Sequence, residues 1–126
     1  MKLMATRKKS VTACVKEIRR INTRFRRLKD KDGQEAERLM AAKDGLIDEM
    51  SGICPHPSVI ATRGRRRGGL PRGAPRRICP RCGFSEAKMF QPRYPLVLTG
   101  RPTTYLPLDE YLIRQGQILR RLGINL

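Results

Sequence analysis

From Val11 onward, apolar residues fall at Val11, Cys14, Ile18, Ile21, Phe25 and Leu28, at spacings of 3, 4, 3, 4 and 3. That is the stripe of one helix face, close to a heptad seam. Lys16, Arg19, Arg20, Arg24, Arg26, Arg27 and Lys29 occupy the other faces, and Ser10 stands where an N-cap belongs. After the polar turn Lys29–Gly33, the same spacing returns at Ala36, Leu39, Lys43, Leu46, Met50 and Ile53, widened by Met40 and Ile47. Lys43 breaks this seam, and Gly45 weakens the helix by roughly 1 kcal/mol relative to Ala. Gly52 is placed to end it as a left-handed residue, with Ile53 folding back on Ile47. Two helices joined by a short turn predict an antiparallel helical hairpin.

Beyond residue 53 the helical period disappears. Ser58–Thr62 and Arg76–Ile78 have strand composition, and Phe84–Phe90 is a candidate third strand. The segment between the first two is too rich in Gly, Pro and Arg for regular structure. Gln91–Thr104 is interrupted by prolines and reads as extended chain on the surface. A third helix is expected from Pro107, with Asp109 and Glu110 in its first turn and Arg120 and Arg121 in its last. Its stripe is Leu108, Tyr111, Leu112, Ile118, Leu119 and Leu122, and Gly123 is its stop.

Composition narrows the class. The chain has 126 residues, 39% apolar, with no Trp and six Phe plus Tyr, so its core is thin. Chains this lean often need a metal or a partner to hold one structure. The formal charge is +17 and the sequence pI about 11.0, a balance that attracts polyanions. Residues 1–29 carry eleven Lys/Arg against one acid, and residues 54–91 carry nine against one. Residues 30–53 reverse the balance, with three against seven. A basic first helix and an acidic second one favour pairing within one hairpin, although two heptad stripes also leave a dimer open. No run of apolar residues is long enough to span a membrane, and the N-terminus lacks the apolar centre of a secretory signal. An intracellular location, cytoplasmic or nucleoid-associated, is the expectation.

The candidate chemistry lies in Cys54-Pro55-His56 and Cys79-Pro80-Arg81-Cys82-Gly83, separated by 22 residues. Three thiolates and one imidazole are a ligand set that zinc takes tetrahedrally. Gly83 relieves the backbone where the second turn reverses, and the two prolines stiffen both turns. Cys54-x-His56 is a tighter bite than Cys-x2-Cys. In an oxidising compartment a Cys79–Cys82 or Cys54–Cys79 bridge competes with the metal. Cys14 lies on the first helix's apolar stripe and reads as core. Four ligands fill the coordination sphere, and no phosphate loop, nucleophile elbow or dinucleotide signature is present. Cys79-Pro80-Arg81-Cys82 has no βαβ context for thiol–disulfide exchange. The expectation is a structural zinc ion and no enzyme.

Between the clusters stand Arg63, Arg65, Arg66, Arg67, Arg72, Arg76 and Arg77, all arginine and none lysine. Guanidinium groups bind phosphate bidentately. With Arg19, Arg20, Arg24 and Arg27 of the first helix they make a candidate nucleic-acid surface for RNA or DNA.

At these residues the chain resembles the zinc-ribbon class of small nucleic-acid-associated proteins, over residues 53–90. The Cys-x-His half and the long insert depart from the usual four-cysteine pattern. The resemblance implies a non-enzymatic, nucleic-acid-binding role. The hairpin leading into a metal module is also similar to bacterial regulators that enter the RNA-polymerase secondary channel, with Asp30 and Asp32 at the tip. A third reading is a structural component of a ribosomal or viral particle. The expected fold class is small, metal-stabilised α+β. It comprises a basic arm (1–9), a helical hairpin (10–53), a zinc ribbon (54–91) with a basic loop (63–77), and an extended segment with a C-terminal helix (92–126).

Overall fold

A computed structural model describes residues 10–63, 75–87 and 97–125. The arm 1–9 and Arg65, Arg66, Arg67 and Arg72 lie outside the described residues. The elements are α1 (Val11–Arg27), α2 (Gln34–Ile53), β1 (Val59–Thr62), β2 (Arg76–Ile78), β3 (Ser85–Ala87), β4 (Thr103–Tyr105) and α3 (Leu108–Arg121). The class is small α+β, as expected.

Ser10 starts α1 as anticipated: its hydroxyl accepts the Ala13 amide at 3.1 Å. Val11, Cys14 and Ile18 are buried, and the next buried position is Asn22, with Ile21 half-buried. A straight helix of 3.6 residues per turn drifts off a 3.5-residue stripe, and that drift turns Asn22 inward. The end of α1 is closed by Lys31, whose ammonium donates to the carbonyls of Phe25, Arg26 and Leu28 at 2.7, 2.9 and 2.8 Å. At the hairpin tip Asp30 Oδ1 accepts the Asp32 amide at 2.9 Å, so this carboxylate serves the turn itself.

α2 buries Ala36, Leu39, Lys43, Leu46 and Met50 against α1. The expectation for Gly52 is corrected. Gly52 stays helical, and Cys54 is the cap, its amide bonded to Met50 O at 3.1 Å. Pro55 gives the reason, because the residue before a proline is pushed out of the α region. Lys43 is only 3% exposed. Burial lowers its pKa from the ordinary 10.5, with Asp44 opposing the shift and Arg26 adding to it. Across the hairpin Arg24 lies 3.3 Å from Glu35, an exposed pair contributing about 0–1 kcal/mol.

The strand order is β3-β2-β1-β4. β1 and β2 are antiparallel with Ile60 opposite Ile78, and β2 and β3 are antiparallel with Ile78 opposite Ser85. β3 covers three residues of the expected Phe84–Phe90 strand, and residues 88–90 lie outside the described residues. β4 corrects the reading of 91–104 as surface chain. Thr103–Tyr105 pairs parallel with β1, flanked by Val59 N–H to Pro102 O and Leu106 N–H to Ala61 O, both 2.8 Å. Just before it, Leu98 is buried in the turn at residues 97–100.

α3 begins after Pro107 as expected, but Leu112 faces solvent at 44% exposure; Leu108, Tyr111, Ile118 and Leu122 turn inward. Its end is a Schellman motif: Ile124 N–H reaches Leu119 O at 2.9 Å, Gly123 N–H reaches Arg120 O at 3.0 Å, and Gly123 has φ 78°. The buried Asn22 amide donates to Gly123 O at 2.8 Å, tying this turn to α1.

One core cluster joins Val11, Cys14 and Ile18 of α1 and Leu46 and Met50 of α2 to Cys54, Val59, Cys79, Cys82 and Leu98. A second gathers Ile60, Ile78, Tyr111, Ile118 and Leu122 where α3 meets the sheet. Among the described residues no helix is long and apolar enough to cross a membrane.

Candidate metal centre

Two short turns converge on the end of α2. Cys54 caps α2 in an already extended conformation, ψ 132°, as the Pro55 that follows requires. His56 then takes a left-handed conformation, φ 49°, which lets a single intervening residue reverse the chain. Its amide donates to Cys54 Sγ at 3.4 Å. The second turn follows β2. Gly83 N–H bonds to Cys79 O and Cys79 N–H to Phe84 O, both at 2.8 Å, and Phe84 N–H points at Cys82 Sγ at 3.4 Å. Gly83 has φ 80°, as the sequence expectation for this turn requires.

The four side chains predicted as ligands come together. Cys54, His56, Cys79 and Cys82 are all buried, and their ligand atoms lie within 4.8 Å of one another. The Sγ atoms of Cys54 and Cys79 are 3.8 Å apart, and Cys82 Sγ is 3.5 Å from His56 Nδ1. Zinc bonds of about 2.3 Å to sulfur and about 2.0 Å to nitrogen, at tetrahedral angles, give sulfur–sulfur edges of ~3.8 Å and sulfur–nitrogen edges of ~3.5 Å. These two edges match, and all six lie within 4.8 Å. A disulfide would need about 2.05 Å, and all four cysteines are free. Cys14 sits in the core on α1, fully buried.

The electrostatics of the cluster favour a single thiolate. The Cys82 thiol holds the Cys79 sulfur, with a pKa lowered to about 4, in its ionised form. Cys82 is pushed up by that same hydrogen bond and by burial, and Cys54 is pushed up chiefly by burial. Ionising all three would require a positive charge among them, which a divalent ion held by these ligands would supply.

Around the cluster, the Phe84 ring packs 5.6 Å from the His56 ring. Ile124, Leu122 and Leu119 close over Gly83, where an added Cβ would lie 2.8, 3.1 and 3.3 Å from them. Glu86, the acid nearest the second turn in sequence, is taken: Arg77 Nε lies 2.6 Å from one oxygen and the Leu98 amide 3.2 Å from the other. The sequence contained a signal for this anchor, because Glu86 is the sole acid between residues 54 and 91. Phe84 and Ile124 gave no such signal, since their role depends on α3 returning over the second turn.

The chain matches no protein-family model, and neither a curated protein nor a solved structure matches it significantly.

The candidate arginines differ in what holds them. Arg77 is committed to Glu86 and also donates to Thr99 at 3.0 Å. Its side chain is 14% exposed, so it braces the sheet and offers little to a ligand. Arg76 has a buried Nε with no hydrogen-bond partner among the described residues, while Arg63 stacks its guanidinium 4.7 Å from the Tyr105 ring centroid. On α1, Arg20 and Arg27 are exposed, Arg24 faces Glu35, and Arg19 donates to Arg121 O. Nothing among the described residues bears on Arg65, Arg66, Arg67 and Arg72.

Proposed function

We propose that this chain is a non-enzymatic zinc protein of the zinc-ribbon kind that binds RNA or DNA along the phosphate backbone, within a larger nucleoprotein assembly. One observation carries the reading. Cys54 and His56 immediately precede β1, and Cys79 and Cys82 immediately follow β2, its antiparallel partner. The segment joining these two strands contains Arg63, Arg65, Arg66, Arg67 and Arg72. A metal held by the four ligands therefore fixes both roots of the arginine segment at one point. Filled coordination and a neutralised Glu86 suit a fastener better than a hydrolytic centre.

The test is binding of duplex DNA and single-stranded RNA over a range of salt. Replacing Arg63, Arg65, Arg66, Arg67 and Arg72 with Gln is expected to reduce the slope of log K against log salt by about 4 to 5 for B-DNA. Purified protein is expected to carry one zinc per chain, lost on Cys82→Ser. An unchanged slope, or zinc-free protein with reduced thiols, rejects the reading.

A further inference from the structure

Two surface clefts, of about 240 and about 310 Å³, meet at Arg19. Arg81 and Arg121 line the first, and Arg26 and Arg120 line the second. These five arginines come from α1, the Cys79–Cys82 turn and the end of α3, and no stretch of sequence puts them together. Neither cleft has a carboxylate among its described lining residues; Thr12, Thr23 and Asn125 supply neutral polar groups.

The end of a helix normally repels an anion through its unpaired carbonyls. Here they are occupied. Leu119 O and Arg120 O accept the amides of the Schellman turn, Gly123 O accepts Asn22, and Arg121 O accepts the Arg19 guanidinium. Arg121 in turn donates to Pro80 O at 2.5 Å. Arg19 and Arg121 are thus held in place before any ligand arrives, which lowers the entropy lost on binding.

Size and composition select the ligand. From Val11 to Arg26 the trough follows α1 for about 22 Å at about 1.5 Å per residue. One strand of a duplex carries a phosphate every ~3.4 Å of axis, so this length of axis holds about six per strand, of which the trough reaches those on the facing side. No aromatic residue lines either cleft to stack an unpaired base. Resting on the nucleic-acid reading above, we propose that this trough grips the phosphodiester backbone of a double-stranded nucleic acid. It forms a contact strip independent of the 63–77 arginines.

The experiment replaces Arg26, Arg81 and Arg120 with Gln, sparing Arg19 and Arg121 because they hold backbone carbonyls. Duplex DNA and duplex RNA are titrated across salt with the full chain. The triple variant is expected to lose about 2 to 3 from the DNA salt slope and to show a parallel loss on RNA. Its zinc content and melting temperature should stay those of the wild type. The same three positions changed to Lys should restore the slope; if the Lys protein, folded and metal-loaded, also loses it, the trough is not a phosphate site. If the Gln variant keeps the wild-type slope on both duplexes while neutralising the 63–72 arginines reduces it, this inference fails and the preceding reading survives. If the wild type shows no salt-dependent binding to either duplex, this inference fails, and the preceding reading then stands or falls on single-stranded RNA.

Discussion

A Cβ on Gly83 would lie 2.8 Å from Ile124 Cδ1, at a backbone φ of 80°. Gly100 shares the conformation, φ 82°, but an added Cβ there meets nothing within 4 Å. Gly100→Ala therefore isolates the left-handed backbone penalty, about 1–2 kcal/mol. Gly83→Ala adds the collision with α3's last turn, and we expect it to cost at least about 1 kcal/mol more than Gly100→Ala in denaturant unfolding. Equal losses would mean that α3's end yields freely and does not seal the metal turn. The residue scale was also where the sequence was most legible. Cys54, His56, Cys79 and Cys82 could be named from spacing because metal ligation demands particular atoms at short range. Arg77 could not be separated from the other arginines, because its partner Glu86 acts through strand register, which composition does not encode.

Within the hairpin, Lys43 occupies a seam position where its neighbours are Leu39, Leu46 and Met50. Its depressed pKa marks an unfavourable burial of charge. Lys43→Met is expected to stabilise the protein by about 1 kcal/mol near neutral pH. The sign with pH is set by the unfolded chain, which binds the proton more tightly than the folded one. The penalty from Lys43 is therefore full below the folded pKa and fades as pH rises toward 10.5. The gain from the substitution should shrink over that range in melts recorded at increasing pH; a gain independent of pH would place the benefit in packing alone. The element scale divides by periodicity. α1, α2 and α3 were readable because a buried stripe repeats over several turns. β4 was not: its three side chains are all exposed, so apart from Arg63 on the Tyr105 ring, backbone hydrogen bonds to β1 place it. Leu112 fits the inward stripe in the sequence because an apolar residue matches the period whether or not a neighbour covers it.

Across the whole molecule, hairpin and metal turns share one core, with Cys54, Cys79 and Cys82 packed among Val11, Cys14, Ile18 and Met50. Structural zinc contributes about 10–16 kcal/mol in small domains, comparable to the total stability of about 5–15 kcal/mol of a folded protein. Chelation under reducing conditions should therefore melt the helices together with the sheet, so that the helical circular dichroism falls in step with zinc release. Helical signal and melting temperature unchanged after complete metal removal would show that the hairpin stands without the centre. This coupling was only partly legible. The lean composition announced the need for a staple, whereas the return of α3 over Gly83 depends on contacts between residues distant in the chain.

The parallel pairing of β1 with β4 also orders events in time. All four ligand residues precede β4 and α3 in the chain, so they emerge from the ribosome first, and β1 can then pair with β2 before either follows. The outer edge of β1 stays bare until residues 103–105 arrive, and the lid formed by Leu119, Leu122 and Ile124 arrives last. Metal capture can thus precede closure, and the nascent chain passes through a stage in which its thiols are gathered but open to solvent. An ion captured at that stage would have an open way in, and α3 would then close the turn behind it.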